Sequence, residues 1–426
     1  MQTAGRERAT LTVIGVDGEH LPPGAARALD AARLVVADAA LLRAHPGSSD
    51  PNGWSGSRDT IELTGSLVPP EVLDKVVSAV STGDPAVIMV PGDPGFFGPL
   101  RTLRSRGVPV VTWPSVSQLQ RLAAMIQRPW DDITVVDARG QDFTHALNVC
   151  RARRAVAVVT GPDAGPNELA AGLDGWRRTV AVLEDPGGPT EKLSIVDARE
   201  AERRRYREPN LVLCLTSVDS TGKPSWIAGG ELVPPADGWA LDESAFASRD
   251  GVMIAPEVRA LALAKLAPRP GTLLWDVAAG SGAVGIEAGR LGAAVIAIEA
   301  DSGLCVRIVS NAGAHGVDLR LVDAPPPRSL ANLPAPDAIA VGSTREDVLR
   351  AVVGVDARRI VVLGCELDRV TPTRDVLAGA GYEVGGVQLS AAPLTGLDAD
   401  GTGVGVGPAH STFLLWGKRI GPGRAR

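Results

Sequence analysis

The strongest constraint on what this chain can fold into lies between Leu273 and Asp301, LLWDVAAGSGAVGIEAGRLGAAVIAIEAD. Leu273, Leu274 and Trp275 start an apolar strand, and Asp276 stands where that strand should stop. Ala278, Ala279, Gly280, Ser281 and Gly282 are small enough for a ligand to approach the backbone. Val284 to Leu291 can form a helix whose free N–H groups face that ligand, and Ala294 to Ile298 is the next strand. Glu299 follows, where an acid suits the two hydroxyls of a ribose. The segment reads as a nucleoside-binding βαβ unit.

Two cofactors compete for it. Gly280, Gly282 and Gly285 fit the dinucleotide pattern G-x-G-x-x-G, with Glu299 at a suitable distance, and such a match alone is weak. A dinucleotide needs its first Gly directly after the strand, so that the pyrophosphate can sit on the helix N-terminus. Asp276 favours S-adenosylmethionine, which has no phosphate and carries an ammonium group that a strand-end carboxylate can meet. A turn with no ligand is the third reading, and it leaves the acid at each strand end unexplained.

At 426 residues, two or three domains are expected. The chain is 45% hydrophobic, yet no run approaches the ~18 apolar residues of a membrane span. MQTAGRERAT has no apolar stretch after its charges, so no signal peptide is expected. Cys150, Cys214, Cys305 and Cys365 lack metal-ligand spacing and suggest no disulfide framework. A cytoplasmic protein without a metal is the expectation. A net charge of −6 speaks against nucleic acid, whose phosphates need clustered Lys and Arg. Arg203 to Arg207 reads as a solvated helix end. Whether the chain forms a homo-oligomer stays open.

Short apolar strands alternate with Ala-rich helical stretches from Thr10 to Ser217, which predicts an α/β domain with largely parallel sheets over 10–217. Residues 218–238, rich in Gly, Pro and Ser, are the linker candidate. A second α/β domain is expected over 239–420, opening with an amphipathic helix at Pro256–Leu266.

In the first domain, three Gly/Pro/Ser loops follow strands: VPGDPGFFG at Val90–Gly98, WPSVSQLQ at Trp113–Gln120, and GPDAGPNE at Gly161–Glu168. Together they suggest one sheet edge holding one ligand. Asp93 either serves that ligand or caps its own turn, and Ser117 reads as an N-cap.

GDPGFFG, WPSVSQLQRLAAMIQRPWDD and LEDPGGPTEKL resemble the precorrin methyltransferase superfamily, in its branch that methylates precorrin-6Y. DGVMIAPEVRALALAKLAPRPG, WDVAAGSGAVGIEA, AIEAD and LVDAPPPRSLANLPAPDAIAVGS resemble that branch's Rossmann-like partner domain. In this order the pieces look like the fused precorrin-6Y C(5,15)-methyltransferase (decarboxylating) family of cobalamin synthesis, over about Thr10 to Lys418.

The resemblance implies an N-terminal tetrapyrrole methylase-like domain and a C-terminal class I methyltransferase domain. It implies two S-adenosylmethionine sites and a small-molecule tetrapyrrole substrate; from charge and hydropathy, neither nucleic acid nor a membrane is expected as a partner. The first domain would methylate C-5. The second would methylate C-15 and decarboxylate the C-12 acetate, giving precorrin-8X. Family cofactor positions match Ile254, Ala278 to Gly282, Glu299 and Ala324, with Asp323 beside it, and, in the first domain, Gly92, Asp93, Pro94, Ser117 and Thr160. Arg249, Arg259 and Arg345 are candidates for the substrate's carboxylates. No catalytic acid or base is assigned, and His20, His45, His145, His315 and His410 read as structural or surface residues.

The sequence departs from the family pattern at GVDGEHLPPG after the first strand, at Ala278 and Ile254, where Gly and Thr are usual, and at Gly342–Glu346. Two alternatives therefore stay open. One is an NAD(P)-linked oxidoreductase using Gly280, Gly282 and Gly285. The other is a non-catalytic tetrapyrrole-binding paralogue with decayed sites.

Overall fold

The computed structural model describes residues 10–18, 20–45, 58–63, 68–140, 143–219, 221–222, 226–231, 234–248, 253–392, 394–395, 404–407 and 410–419. Contacts divide the chain into two compact units, one of residues 1–143 and 154–230, the other of 144–153 and 231–426.

The first unit holds two five-stranded sheets. Strands β1 (Leu11–Val16), β2 (Leu34–Asp38), β3 (Asp59–Leu63), β4 (Ala86–Pro91) and β5 (Val110–Trp113) form an all-parallel sheet in the order β3-β2-β4-β1-β5. The central strands β1 and β4 are near-continuous apolar runs because helices cover both faces. The second sheet joins β6 (Thr134–Asp137), β7 (Ala155–Val159), β8 (Thr179–Glu184), β9 (Lys192–Asp197) and β10 (Asn210–Leu215) in the order β6-β7-β10-β8-β9. Alternation predicts a parallel sheet here too, but only β6 and β7 run parallel. The last strand, β10, inserts antiparallel between β7 and β8, and β8 and β9 form a hairpin closed by the Gly/Pro turn after Glu184.

The second unit is built on a seven-stranded sheet. Its strands are β11 (Leu273–Val277), β12 (Ala294–Glu299), β13 (Arg320–Asp323), β14 (Ala338–Val341), β15 (Arg359–Cys365), β16 (Tyr382–Ala391) and, after the small ribbon of β17 (Leu394–Thr395) and β18 (Gly405–Val406), β19 (His410–Arg419). Their order is β13-β12-β11-β14-β15-β19-β16, with β13 to β15 parallel and β19 antiparallel to both its neighbours. The dinucleotide fold is a parallel sheet in the order 3-2-1-4-5-6 built from two similar halves. Here the second half is broken by the reversed β19, and the half carrying β11 and β12 keeps the parallel βαβ arrangement.

Strand β11 is buried along its whole length, and the order reverses beside it, between β12 and β14. Loops after β11, β12 and β14 therefore meet at one sheet edge, the position where open α/β sheets bind ligands. Leu274, Val295, Ala340 and Val361 from four strands pack against Val258, Leu263 and Leu266 of the helix Pro256–Leu266 and against Val284 and Ala288. This core anchors the strand ends and leaves the turn above them to be shaped by polar contacts.

Among the described residues no helix is long and apolar enough to cross a membrane, and no group of three or more His, Cys, Asp or Glu could hold a metal ion. The four cysteines are buried and free.

Candidate functional site

The site in the second unit is a turn held between two carboxylates. Asp276, 2% exposed near the end of β11, accepts the Gly285 N–H through Oδ2 at 2.9 Å. A Cβ on Gly285 would stand 2.9 Å from that same oxygen, so the contact needs glycine there. Glu299 ends β12, and its Oε2 accepts the Gly280 N–H at 2.8 Å. Its Oε1 accepts the Ala300 and Asp301 amides at 2.8 and 3.0 Å.

Between these anchors the backbone bends through left-handed conformations at Ala278 (φ 56°), Gly280 (φ 61°) and Gly282 (φ 78°). A Cβ on Gly282 would press on Ile308, whereas one on Gly280 would meet nothing within 4 Å. The turn thus presents bare backbone at Gly280 to open space. Ala278, where a glycine is usual in the family, pays for its methyl group by holding a conformation that costs an L-residue about 1–2 kcal/mol. The loop after β14 accommodates that bend. Gly342 donates its N–H to the Val277 carbonyl at 2.8 Å, and a Cβ there would stand 2.4 Å from the Ala278 carbonyl oxygen. Of the divergent GSTRE segment, the one glycine the geometry requires is present.

Burial pushes the Asp276 carboxyl up to about 7, opposed by the Gly285 hydrogen bond and reinforced by the neighbouring Glu299 charge. The ionised form is thus the costly one in the free protein, and a cation placed beside it would recover that cost.

Asp323 ends β13 as an exposed side chain, and the next residue, Ala324, donates its N–H to the Glu299 carbonyl at 3.0 Å. These two candidates therefore flank Glu299. Cys305 lies behind them with its thiol pushed up to about 11 by burial and by Asp323, which leaves it unreactive. Ser281 faces the turn, with its carbonyl accepting from Asn311 at 2.9 Å.

The arginine candidates separate. Arg259 cannot meet a substrate carboxylate: it is 0% exposed and paired with the equally buried Glu287 at 3.1 Å. Its guanidinium also donates to the Ile254 carbonyl at 2.5 Å and to the Leu241 carbonyl. It is a core residue that fixes the backbone at Ile254, itself partly buried. Arg345 is exposed beside the β14 loop and forms a two-point contact with Asp347 at 3.1 and 2.6 Å. Arg249 lies outside the described residues, as does the side chain of His410. His315 is a structural residue, with its ring nitrogen 2.8 Å from the Ala245 carbonyl and its ring tilted on Phe246.

In the first unit, the strand-end loops of the parallel sheet converge. Gly92 (φ 71°) donates to the Val16 carbonyl at 2.8 Å, and a Cβ on it would lie 3.4 Å from Gln118 N, Ser117 Cα and Val116 O. Gly15 on β1 sits beneath; its Cβ would collide with Gly92 O at 2.1 Å and approach Pro94 at 2.8 Å. Gly92, Pro94 and Ser117 are thus brought together. Asp93 turns inward and accepts the Gly95 N–H at 2.8 Å, so its side chain caps the loop. Ser117 closes a capping box with Gln120. The Thr160 hydroxyl is spent on Asn210, at 2.7 Å to both its carbonyl and its side-chain oxygen.

Sequence reasoning missed Arg139. This side chain, held by Asp137 at 2.8 and 2.7 Å, donates to the Phe97 carbonyl of the GDPGFFG loop at 2.9 Å and packs where a Cβ on Gly161 would stand. It links the Thr160–Gly161 strand end to the Gly92 loop. The available signal was ARGQD directly after a strand. The altered first loop is buttressed as well: Gly18 lies against Gly187 of the β8–β9 turn, and Arg121 bridges Glu191 at 2.5 Å and Asp17 at 3.5 Å.

Comparison with known proteins covers both units. The family model for tetrapyrrole (corrin/porphyrin) methylases matches residues 10–202, and that for the precorrin methyltransferase domain matches 244–395. The chain is 31% identical over 361 residues to a precorrin-6Y C(5,15)-methyltransferase (decarboxylating) of Sinorhizobium sp, covering 80% of this chain and 81% of that protein. A protein of the same name from Mycobacterium tuberculosis is 36% identical over 209 residues, 48% of this chain and 50% of that one. A crystal structure of a precorrin-6Y C5,15-methyltransferase from Geobacter metallireducens is 26% identical, with a TM-score of 0.39, covering 42% of this chain and 97% of that one.

Two expected outcomes follow from the turn. Replacing Ala278 with Gly should stabilise the second unit by about 0.5–1 kcal/mol, the relieved left-handed strain less the entropy glycine gains on unfolding. Chemical denaturation checks this, and a lower midpoint would refute it. For Asp276, the unfolded chain ionises near 3.8 and the folded protein near 7, so the folded state holds the extra proton between those values and loses stability as pH rises through that window. Asp276→Asn should therefore raise the melting temperature of the ligand-free protein at pH 8, by a margin that shrinks toward pH 5. A margin that grows on acidification would contradict the assignment.

Proposed function

The chain belongs to the precorrin-6Y C(5,15)-methyltransferase (decarboxylating) family, and from that premise we propose which residues of each unit carry the two methylations. The reaction is S-adenosylmethionine-dependent C-methylation of a tetrapyrrole at C-5 and C-15 with loss of carbon dioxide. The observation that carries the assignment in the second unit is the Gly280–Gly285 turn gripped between Asp276 and Glu299.

We assign residues 10–217 to C-5 methylation and 239–420 to C-15 methylation and decarboxylation, with 218–238 joining them; within the first range, 144–153 groups by its contacts with the second unit. S-adenosylmethionine, when bound, supplies a methyl group already activated by the sulfonium, so no metal is required. The residues of the second unit fit it. Asp276 stands ready for the ammonium group, Glu299 for the ribose hydroxyls, and the clear space at Gly280 admits the ligand against bare backbone. Asp323 and Ala324 flank the adenine position. Ala278, Ala279, Ser281 and Gly282 shape the turn, and Ile254 approaches with its carbonyl fixed by Arg259. In the first unit Gly92, Asp93, Pro94, Ser117 and Thr160 shape the second site through backbone rather than side-chain contacts. Both units then act chiefly by alignment of the reacting carbon with the methyl donor. Arg345 remains the described candidate for a substrate carboxylate, released from Asp347 on binding.

Product mass tests this. Asp276→Ala removes a hydrogen-bonded charge of about 1.5–3 kcal/mol and should weaken S-adenosylmethionine binding to the second unit roughly 10-fold or more. Gly92→Val forces a branched side chain into a left-handed position and should abolish C-5 methylation while C-15 methylation and decarboxylation persist. A Gly92→Val product carrying both new methyl groups would show that the GDPGFFG loop is merely structural.

A further inference from the structure

The segment 240–248 leads into the second unit and runs over the helices Ala283–Arg290 and Ser302–Ala314. Its polar anchors include the fully buried pair Arg259 and Glu287. Both oxygens of Glu287 accept from it, Oε2 from the Ala240 N–H at 2.8 Å and Oε1 from the Leu241 N–H at 3.1 Å. Arg259, paired with Glu287, reaches the Leu241 carbonyl from the other side. Phe246, 5% exposed, plugs into Ala283, Ile286 and Ala312, with the Arg259 guanidinium 5.2 Å from its ring centroid. Arg307 donates to the Ser248 carbonyl at 3.2 Å.

One residue joins this strap to the cofactor turn. Asn311 is 3% exposed on the helix Ser302–Ala314. Its Oδ1 accepts the Ala247 N–H at 2.8 Å, and its Nδ2 donates to the Ala247 carbonyl at 3.0 Å. The same Nδ2 donates to the Ser281 carbonyl at 2.9 Å, inside the turn that presents Gly280. A carboxylate in its place would have no hydrogens for the two carbonyls, and an aliphatic side chain would leave all three backbone groups without that partner.

We propose that Asn311 is a positioning residue for the methyl transfer in the second unit: through one side-chain amide it locks the strap at Ala247 to the turn at Ser281, so that binding of the sulfonium cofactor and docking of the strap stabilise each other. This rests on the reading that the Gly280 turn binds S-adenosylmethionine. The coupling is reciprocal. A ligand that fixes the turn fixes the Ser281 carbonyl, hence Asn311, hence the strap, and a loosened strap weakens the ligand by the same factor. The strap leads through Ser248 toward Met253 and Ile254, where Arg259 holds the chain again.

The test uses the full chain with Asn311→Asp, which preserves shape and removes the donors, and Ala247→Pro, which removes the strap's N–H and leaves Asn311 untouched. Both should raise the KM for S-adenosylmethionine in C-15 methylation by roughly 10-fold with a much smaller change in kcat, while C-5 methylation by the same chain is unaffected. In the natural chain, S-adenosylmethionine should slow amide hydrogen exchange over 240–248 as well as over 279–285. In Asn311→Asp the protection of 240–248 should disappear. If one variant fails to fold, the other decides. Protection of 279–285 without any at 240–248, or an unchanged KM in the folded variants, overturns the coupling and leaves the cofactor assignment standing. No protection at 279–285 in the natural chain overturns the cofactor assignment itself, and the coupling with it.

Discussion

The second unit depends on the hydrogen bond from the Gly285 N–H to the buried Asp276 carboxylate. It ties the first turn of a helix to the end of the central strand, and so sets the direction in which the intervening turn must cross. An acid in that place, within a core of Leu274, Val295 and Ala340, is held against its own preference for water. The same burial that makes Asp276 costly in the free protein would favour a cationic group beside it. A neutral group or a phosphate brought to it gains nothing, whereas an ammonium relieves the desolvated charge. The dinucleotide reading fails on this residue and on the reversed β19, two independent features that the glycine spacing alone does not see.

The βαβ unit was legible because each requirement leaves a residue in the sequence. Gly285 is small so that Asp276 can reach its amide, Gly282 so that Ile308 can pack, and Glu299 is acidic because it must receive Gly280. The strands β11 and β12 are continuous apolar runs, as doubly covered strands are. What stayed hidden was pairing between distant positions. Nothing in the local pattern around Arg259 says that Glu287 will meet it with both side chains fully buried. In the sequence Arg259 reads as a candidate for a substrate carboxylate, and here it is a core residue because a partner 28 positions away neutralises it.

The first unit shows the same division. GDPGFFG and WPSVSQLQ announce tight loops, and Gly92 and Ser117 do meet. The closeness of Gly15 beneath them was not readable, since a glycine in a strand has many causes. The antiparallel insertion of β10 was likewise silent. Strand polarity in a mixed sheet is set by which neighbour the last segment finds, and an apolar run such as NLVLCL fits either direction.

The departures from the family pattern sort by what each position does. Ala278 keeps the backbone path at the cost of a strained φ. Gly342 is retained within an otherwise altered loop because its Cβ would strike the Ala278 carbonyl oxygen. The two positions are coupled sterically, so a glycine at 278 would relax the bend, while a side chain at 342 would forbid it. Ile254 differs again. Its carbonyl, rather than its side chain, is the atom that Arg259 fixes, and a carbonyl is indifferent to the replacement of Thr by Ile. A departure that changes a side chain where the backbone does the work keeps the backbone path, and the divergence at Ala278 and at Ile254 does so.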